Sequence, residues 1–377
     1  MSPPNTPGRL RFLPIFTLTL IGVSVVVSVF LLPMPSAHNA ASAAKDVDQL
    51  TLDIERTARD HCQAYTQKDW PRAIGLALRL NKLVPGNSTH QYNLACVYSL
   101  NGEPDRAIEW LGKAAQNGFS RLTLFETDTD LGATRSHEGY KAVHSAVKSN
   151  RGRILADLKA RFEETPLHVV LPPEYNADQA APLIVALHGY GGGARGVTEE
   201  WRNVAAEMGA IVIAPQAIFP IPGQGGVTWI DPNRIDDPTC QDDAEFLVQL
   251  TVEYALANHR IDKERMILVG FSQGGIIAVA AAPRSKYRFA GAIPMAGEYL
   301  PRFDAPPKAV GDSAPRFYFM IGERDRDVAV ASYRLAVKEF TAAGYVAKLR
   351  IYPRVGHRFP DDRDKELRRA IDFVLKL

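Results

Sequence analysis

The sequence predicts an α/β protein, a mostly parallel sheet with helices on both faces, preceded by a smaller all-α domain. Three observations carry this. After about residue 166, seven short apolar, β-branched runs end in Gly, Pro or Ser, and helical stretches lie between most of them. Continuous apolar runs alternating with helices are the pattern of strands buried on both faces. Between about residues 55 and 122, two units share the frame x-x-P-x-R-A-I. Finally, 377 residues are too many for one ordinary core and imply about two domains.

Residues 1–43 are a different material. Arg9 and Arg11 precede an uncharged stretch of 21 residues, Phe12 to Leu32, rich in Val, Leu and Ile. After it comes "PMPSAHNAASAAKD", in which Ala41-Ser42-Ala43 fits the small-x-small rule for signal peptidase. The segment is expected to be a signal peptide or an uncleaved membrane anchor, since its length suffices to cross a bilayer. Either way the two arginines stay in the cytosol and the rest is exported, as a periplasmic, secreted or anchored protein. Membrane contact is expected only through this segment.

Residues 45–150 are expected to form helical repeats. "KDWPRAIGLALRLNKLVPGN" and "GEPDRAIEWLGKAAQNGF" place Ala73 and Ala107 34 residues apart. That is the period of the tetratricopeptide repeat, which the two units resemble. Leu94, Ala95, Tyr98, Ala107, Leu111 and Ala114 occupy its packing positions, where small residues let paired helices approach. Pro85 closes the second helix of the first unit. A third, atypical helix pair over "DTDLGATRSHEGYKAVHSAVKSN" would cap the array. Such a surface makes a protein partner a candidate role, the alternative being a plain helical bundle. "GRILADLKARFEE" then reads as a connector helix over 151–164, stopping before Pro166.

The catalytic candidate is the region 165–377. Its runs are "LHVVLP", "PLIVALH", "AIVIAPQ", "RMILVGFS", "AGAIPMAG", "RFYFMIG" and "AKLRIYP", with helices such as "DDAEFLVQLTVEYALANH" and "SYRLAVKEFTAAG" between them. In parallel sheets the chemistry sits at the carboxyl ends of the strands. There "LIVALH" runs into His188-Gly189-Tyr190-Gly191-Gly192-Gly193, and "MILVGF" into Ser272. "YFMIG" runs into Glu323-Arg324-Asp325-Arg326-Asp327, and "LRIYP" into Arg354-Val355-Gly356-His357. Glycine-rich loop, serine, acid and histidine therefore follow in the chain order of the α/β-hydrolase triad.

Each residue type has a physical task. A serine hydroxyl is a weak nucleophile at neutral pH and needs a base in hydrogen-bond reach. His357 is expected to take that proton and return it to the leaving group. A carboxylate on the other ring nitrogen fixes the tautomer and stabilises the imidazolium. Gly270 and Gly274 permit a tight elbow around Ser272, and a helix starting just after it adds a positive dipole end. The backbone N–H groups of Gln273 and Tyr190 are the expected oxyanion donors, each typically worth ~10²–10³ in turnover.

On these residues the region resembles the serine esterases of the α/β-hydrolase superfamily. "GFSQGG" and "LHGYGGG" are similar to the elbow and oxyanion loop of the phospholipase/carboxylesterase group, which includes acyl-protein thioesterases. "TWID" at 228–231 is similar to a Trp-aromatic-Asp stretch of that group. "GERDRDV" fits the frame G-x-x-D-x-x-V, and "VGHRFP" the frame around the histidine. The resemblance implies Ser272 as nucleophile, Asp325 as acid and His357 as base, with Asp327 a competitor two residues on. The opening "LPPEYN" looks more like feruloyl esterases and polyester depolymerases. A small-molecule or polymer-borne ester is the implied substrate, and no cofactor is implied.

The remaining signals exclude more than they propose. A net charge of +2, with no basic block, argues against a nucleic-acid partner. Cys62, Cys96 and Cys240 match no zinc spacing and allow at most one bridge, with buried thiols the plainer reading. His61, His90, His137, His144, His168 and His259 show no ligand spacing, so no metal is expected. His188 is expected to hold the oxyanion loop, and Asp242 and Asp243 to cap a helix or favour its dipole. Trp229, in the insertion "FPIPGQGGVTWIDPNRIDDPTC", is a candidate wall of the substrate pocket or a packing residue of that loop. Two alternatives to an esterase remain: a peptidase of the prolyl-oligopeptidase kind, and a repeat-mediated binding protein with an inactive hydrolase scaffold.

Overall fold

The computed structural model describes residues 37–232, 239–299, 306–311 and 313–377. The apolar stretch expected to be a signal or anchor lies outside the described residues. Among the described residues, no helix is long and apolar enough to cross a membrane. The chain divides into two compact units, Met1–Val147 and Lys148–Leu377.

The first unit is all α. Helices α1 (Ala37–Thr66), α2 (Trp70–Leu83), α3 (Ser88–Leu100) and α4 (Pro104–Gln116) follow one another through short turns. Their starts are written in the sequence. The Asp69 carboxylate accepts the Arg72 N–H at the start of α2, and Asn87 accepts the His90 N–H at the start of α3. Pro71 and Pro104 stand in first turns, where a missing N–H costs nothing. Ala77, Leu94, Tyr98 and Ala107 bury one another, and Tyr92, Ala95, Leu111 and Ala114 form a second cluster with Phe125 and Val147. Cys62 and Cys96 are both thiols.

Beyond α4 the structure departs from the expected third helix pair. A six-residue helix α5 (Leu122–Thr127) and a 3₁₀ turn (Thr129–Leu131) lead to one long helix, α6 (Tyr140–Glu164). The second half of the expected pair and the expected connector are thus continuous. Nothing between Asn150 and Arg153 breaks a helix except Gly152, and a lone glycine costs only about 1 kcal/mol there.

The second unit is built on a seven-stranded sheet. Its strands are β1 (His168–Val170), β2 (Ala181–Leu187), β3 (Ile211–Ala214), β6 (Ile261–Phe271), β7 (Gly291–Met295), β8 (Arg316–Gly322) and β9 (Ala347–Tyr352). The spatial order is β1-β3-β2-β6-β7-β8-β9. Only β1 runs antiparallel, pairing His168 with Ala214. A separate ribbon, β4 (Phe219–Pro220) with β5 (Val227–Thr228), lies in the insertion.

Both faces of the sheet are covered, which is why the strands read as unbroken apolar runs. Leu183, Val185 and Leu187 of β2 pack on one face with helices α8 (Thr239–Asn258), α9 (Gln273–Arg284) and α10 (Val330–Ala342). Ile184 and Ala186 pack on the other with α7 (Ala194–Met208) and α11 (Arg363–Leu375). Edge strand β9 instead alternates, with Lys348 and Arg350 exposed, a charged edge that discourages pairing with another chain.

Asp243, expected to cap α8 or favour its dipole, stands in the first turns of that helix. It is buried and pairs with Arg151 of α6.

Candidate active site

β2 pairs with β3 on one side and β6 on the other, so the strand order reverses there and opens a crevice at the carboxyl ends. Leu187 is in register with Gly270, and Phe271 with Met295. The oxyanion-loop candidates after β2 therefore lie beside Ser272 after β6. The loops after β8 and β9, which carry Asp325 and His357, open on the same edge.

Ser272 sits on a strained turn between β6 and α9, with φ 54° and ψ −118°. A non-glycine residue holds such a conformation only when its surroundings impose it. The Ser272 N–H donates to the Met295 carbonyl at 2.8 Å, and the Ser272 carbonyl accepts from Gly275 and Ile276. The flanking glycines are demanded by space. A Cβ on Gly270 would lie 2.1 Å from the Gly274 oxygen, and one on Gly274 2.3 Å from the Leu187 oxygen.

His357 reaches both of its expected partners. Its Nδ1 is 2.9 Å from Asp325 Oδ2, and its Nε2 is 2.9 Å from Ser272 Oγ. A carboxylate only accepts, so Nδ1 carries the proton and Nε2 is free to accept the Ser272 hydroxyl. Asp325 is itself held, its other oxygen accepting the N–H groups of Asp327 at 3.0 Å and Val328 at 2.9 Å. Asp327 stands farther from the imidazole and is exposed. Phe271 and Phe359 stack on each other, and Phe271 also packs against the His357 ring.

The glycine-rich loop after β2, the candidate oxyanion loop, is held by His188. His188 is buried; its Nε2 accepts the Ala217 N–H at 3.1 Å, so Nδ1 donates to the Gly189 carbonyl at 2.8 Å. Burial pushes its pKa down and keeps the ring neutral. Gln216 accepts the Ala194 N–H at the start of α7. Tyr190 is exposed. Among the described residues, neither its N–H nor that of Gln273 has a backbone acceptor.

Trp229 does not line an open pocket. It is fully buried, its indole N–H donates to the His188 carbonyl at 2.8 Å, and its ring packs on the His188 imidazole. A side chain with no accessible surface cannot touch a substrate, so the packing alternative describes it. Sequence reasoning missed Thr228 and the Gln273 side chain, which bond to each other. "TWID" was the available signal, but its hydroxyl carried no mark of a partner 45 residues away.

Among the described residues, two clusters hold groups of the kind that bind cations: Asp325, Asp327 and His357, and Cys96, Asp128 and Asp130. In the first, both imidazole nitrogens already face hydrogen-bond partners. In the second, Tyr92 donates to Asp128 and Tyr65 to Asp130.

A serine on a strained strand-to-helix elbow, a histidine beside it and a buried acid behind that histidine, on a mostly parallel sheet, define an α/β hydrolase. The chain belongs to the phospholipase/carboxylesterase family, whose model matches residues 173–377. It is 28% identical over 187 residues to poly(3-hydroxyalkanoate) depolymerase C of Paucimonas lemoignei. That match covers 43% of this chain and 44% of the relative's length. Among solved structures, esterase PE8 is similar at 23% identity, covering 56% of this chain and 98% of that one, with a TM-score of 0.46. SOBER1 of Arabidopsis thaliana is similar at 19% identity, covering 52% and 100%, with a TM-score of 0.44.

Proposed function

We propose that this protein is a serine esterase that cleaves carboxylic esters through an acyl-enzyme on Ser272. The observation that carries the reading is one unbroken relay, Ser272 Oγ to His357 Nε2 and His357 Nδ1 to Asp325 Oδ2, each 2.9 Å. Ser272 Oγ bonds to the ester carbonyl carbon while its proton passes to His357 Nε2, and the carbonyl electron pair moves onto oxygen. The N–H groups of Tyr190 and Gln273 donate to that oxyanion. As the carbonyl re-forms, the C–O bond to the alcohol breaks and the imidazolium gives its proton to the departing oxygen. Water then repeats the sequence on the acyl-enzyme, releasing the acid and restoring Ser272. Asp325 stays ionised throughout and stabilises the imidazolium.

Within the ester class, the similarity to a polyester depolymerase makes polymer-borne hydroxyacid esters part of the proposal, beside small esters. Exposed Tyr190 offers an aromatic surface beside Ser272 for such a chain. Export of the catalytic unit belongs to the same reading, supported by Arg9 and Arg11 before the apolar stretch and Ala41-Ser42-Ala43 after it. So does the division into segment 1–43, repeats 45–150 open to a protein partner, connector 151–164 and catalytic domain 165–377.

The test is Ser272→Ala, assayed with p-nitrophenyl acetate and butyrate. A loss of about 10⁶ in turnover is expected, with loss of fluorophosphonate labelling. Turnover at the wild-type level overturns the proposal.

A further inference from the structure

We propose that residues 227–229 form a clip that sets the spacing of both oxyanion donors, with Thr228, Trp229 and the Gln273 side chain as positioning residues for ester hydrolysis. The inference rests on the serine-esterase reading above. The two donor N–H groups belong to different elements, Tyr190 to the loop after β2 and Gln273 to the first turn of α9. The insertion is the segment that bonds to both.

On the β2 side, Tyr190 lies between two anchored neighbours. The Trp229 indole N–H holds the His188 carbonyl at 2.8 Å, and the Gly191 N–H donates to the Val227 carbonyl at 2.9 Å. On the α9 side, the Gln273 side-chain amide donates to Thr228 Oγ1 at 2.8 Å, while its oxygen accepts the Trp229 N–H at 3.2 Å. Three consecutive residues therefore each hold an oxyanion segment. Thr228 and Trp229 are buried, and the Trp229–His188 bond is shielded from water, while the Gln273 bonds are part-buried.

The clip answers a definite physical need. Gly189, Gly191, Gly192 and Gly193 surround Tyr190, and so glycine-rich a loop has little conformational preference of its own. Donors help only where the developing oxyanion will be, and a displacement of about 1 Å can cost ~10²-fold. Neither Thr228 nor Trp229 touches the reacting atoms in this account; both act through the N–H groups they position.

The deciding variant is Thr228→Val, which removes the hydroxyl at nearly constant shape, with Thr228→Ser as the conservative control. Trp229→Phe and Gln273→Met test the other bonds. Full-length proteins are assayed with p-nitrophenyl butyrate per active site titrated by fluorophosphonate. Binding of an alkyl trifluoromethyl ketone, whose adduct with serine carries an oxyanion, is measured in parallel. Thr228→Val and Trp229→Phe should lower kcat about 10- to 100-fold, leave KM within about twofold, and weaken the ketone by a similar factor. Thr228→Ser should return kcat to within about threefold of wild type. Unchanged kcat per titrated site, or lost kcat with unchanged ketone affinity, overturns the clip. A wild-type protein inert to both ester and ketone overturns the serine-esterase reading, and the clip with it.

Discussion

His357 Nδ1 lies 2.9 Å from Asp325 Oδ2 but 3.8 Å from Asp327 Oδ2, and the Asp325 side chain is 0% exposed where Asp327 is 71%. A buried carboxylate with fixed backbone donors can hold one imidazole tautomer, whereas an exposed one is screened and mobile. Under the proposed mechanism, Asp325→Asn is expected to lower kcat for p-nitrophenyl butyrate by about 10³–10⁴. Asp327→Asn should stay within a few-fold of wild type. Equal losses in the two variants would show that the shorter contact does not select the acid.

Glycines separate the elbow from the rest of the fold. Gly274→Ala would force a methyl against the Leu187 and His188 carbonyls, at 2.3 and 2.8 Å. Neither strand nor helix can yield there without moving Ser272, so loss of fluorophosphonate labelling is expected. Gly75→Ala, at an exposed position of helix α2 with nothing within 4 Å of the new methyl, should instead raise stability by about 0.5–1 kcal/mol. Thermal melts and labelling of the two proteins check both outcomes.

Arg151 neutralises a carboxylate that water cannot reach, since Asp243 is 1% exposed. Arg151→Ala removes a charged partner of this buried carboxylate and is expected to cost stability, up to about 3–5 kcal/mol. Urea unfolding followed by circular dichroism reads the shift. A variant losing less than about 1 kcal/mol would mean that other partners carry Asp243.

Acid should loosen the helical unit. Burial, and then the charge of His61, push the His90 pKa from 6.5 down to about 4, and burial lowers His61 as well. Between those values the unfolded chain binds more protons than the folded one, so stability rises with pH and is lost as pH falls from 6.5 towards 4. For His90 the difference amounts to at most about 3 kcal/mol. The melting temperature should drop as pH falls from about 6.5 towards 4, and His90→Leu should show a smaller drop. An identical drop in both proteins would place the acid sensitivity elsewhere.

The sheet was legible because parallel strands buried on both faces need unbroken apolar runs. "RFYFMIG" coincides with β8, while "PLIVALH" overlaps most of β2 and "RMILVGFS" the second half of β6, which begins four residues earlier at Ile261. Helix starts were legible where a local bond makes them, as at Asn87 and His90. Other features depended on partners far along the chain. The position of Asp243 near the start of α8 is local, but nothing in its segment points to Arg151, its partner 92 residues earlier. Trp229 read equally well as pocket wall or packing residue, because its own segment does not reveal how deeply it is buried. Helix α6 was divided in the sequence reading by an expected repeat boundary that the backbone does not mark.

The sequence by itself determined the elements and what stands at their ends: Ser272 between two glycines after one strand, an acid pair after another, His357 after a third. Those are local properties, set by hydrogen-bond period and by the turn residues that stop it. Only the tertiary structure decided which of these groups meet. The order β3-β2-β6-β7-β8-β9 brings Ser272 and His357, 85 residues apart, to 2.9 Å, separates Asp325 from Asp327, and brings Thr228 and Trp229 onto Gln273 and the His188 carbonyl. A hydrogen bond is made or lost within a few tenths of an ångström. No spacing along a chain specifies distance that finely; packed strands and helices do.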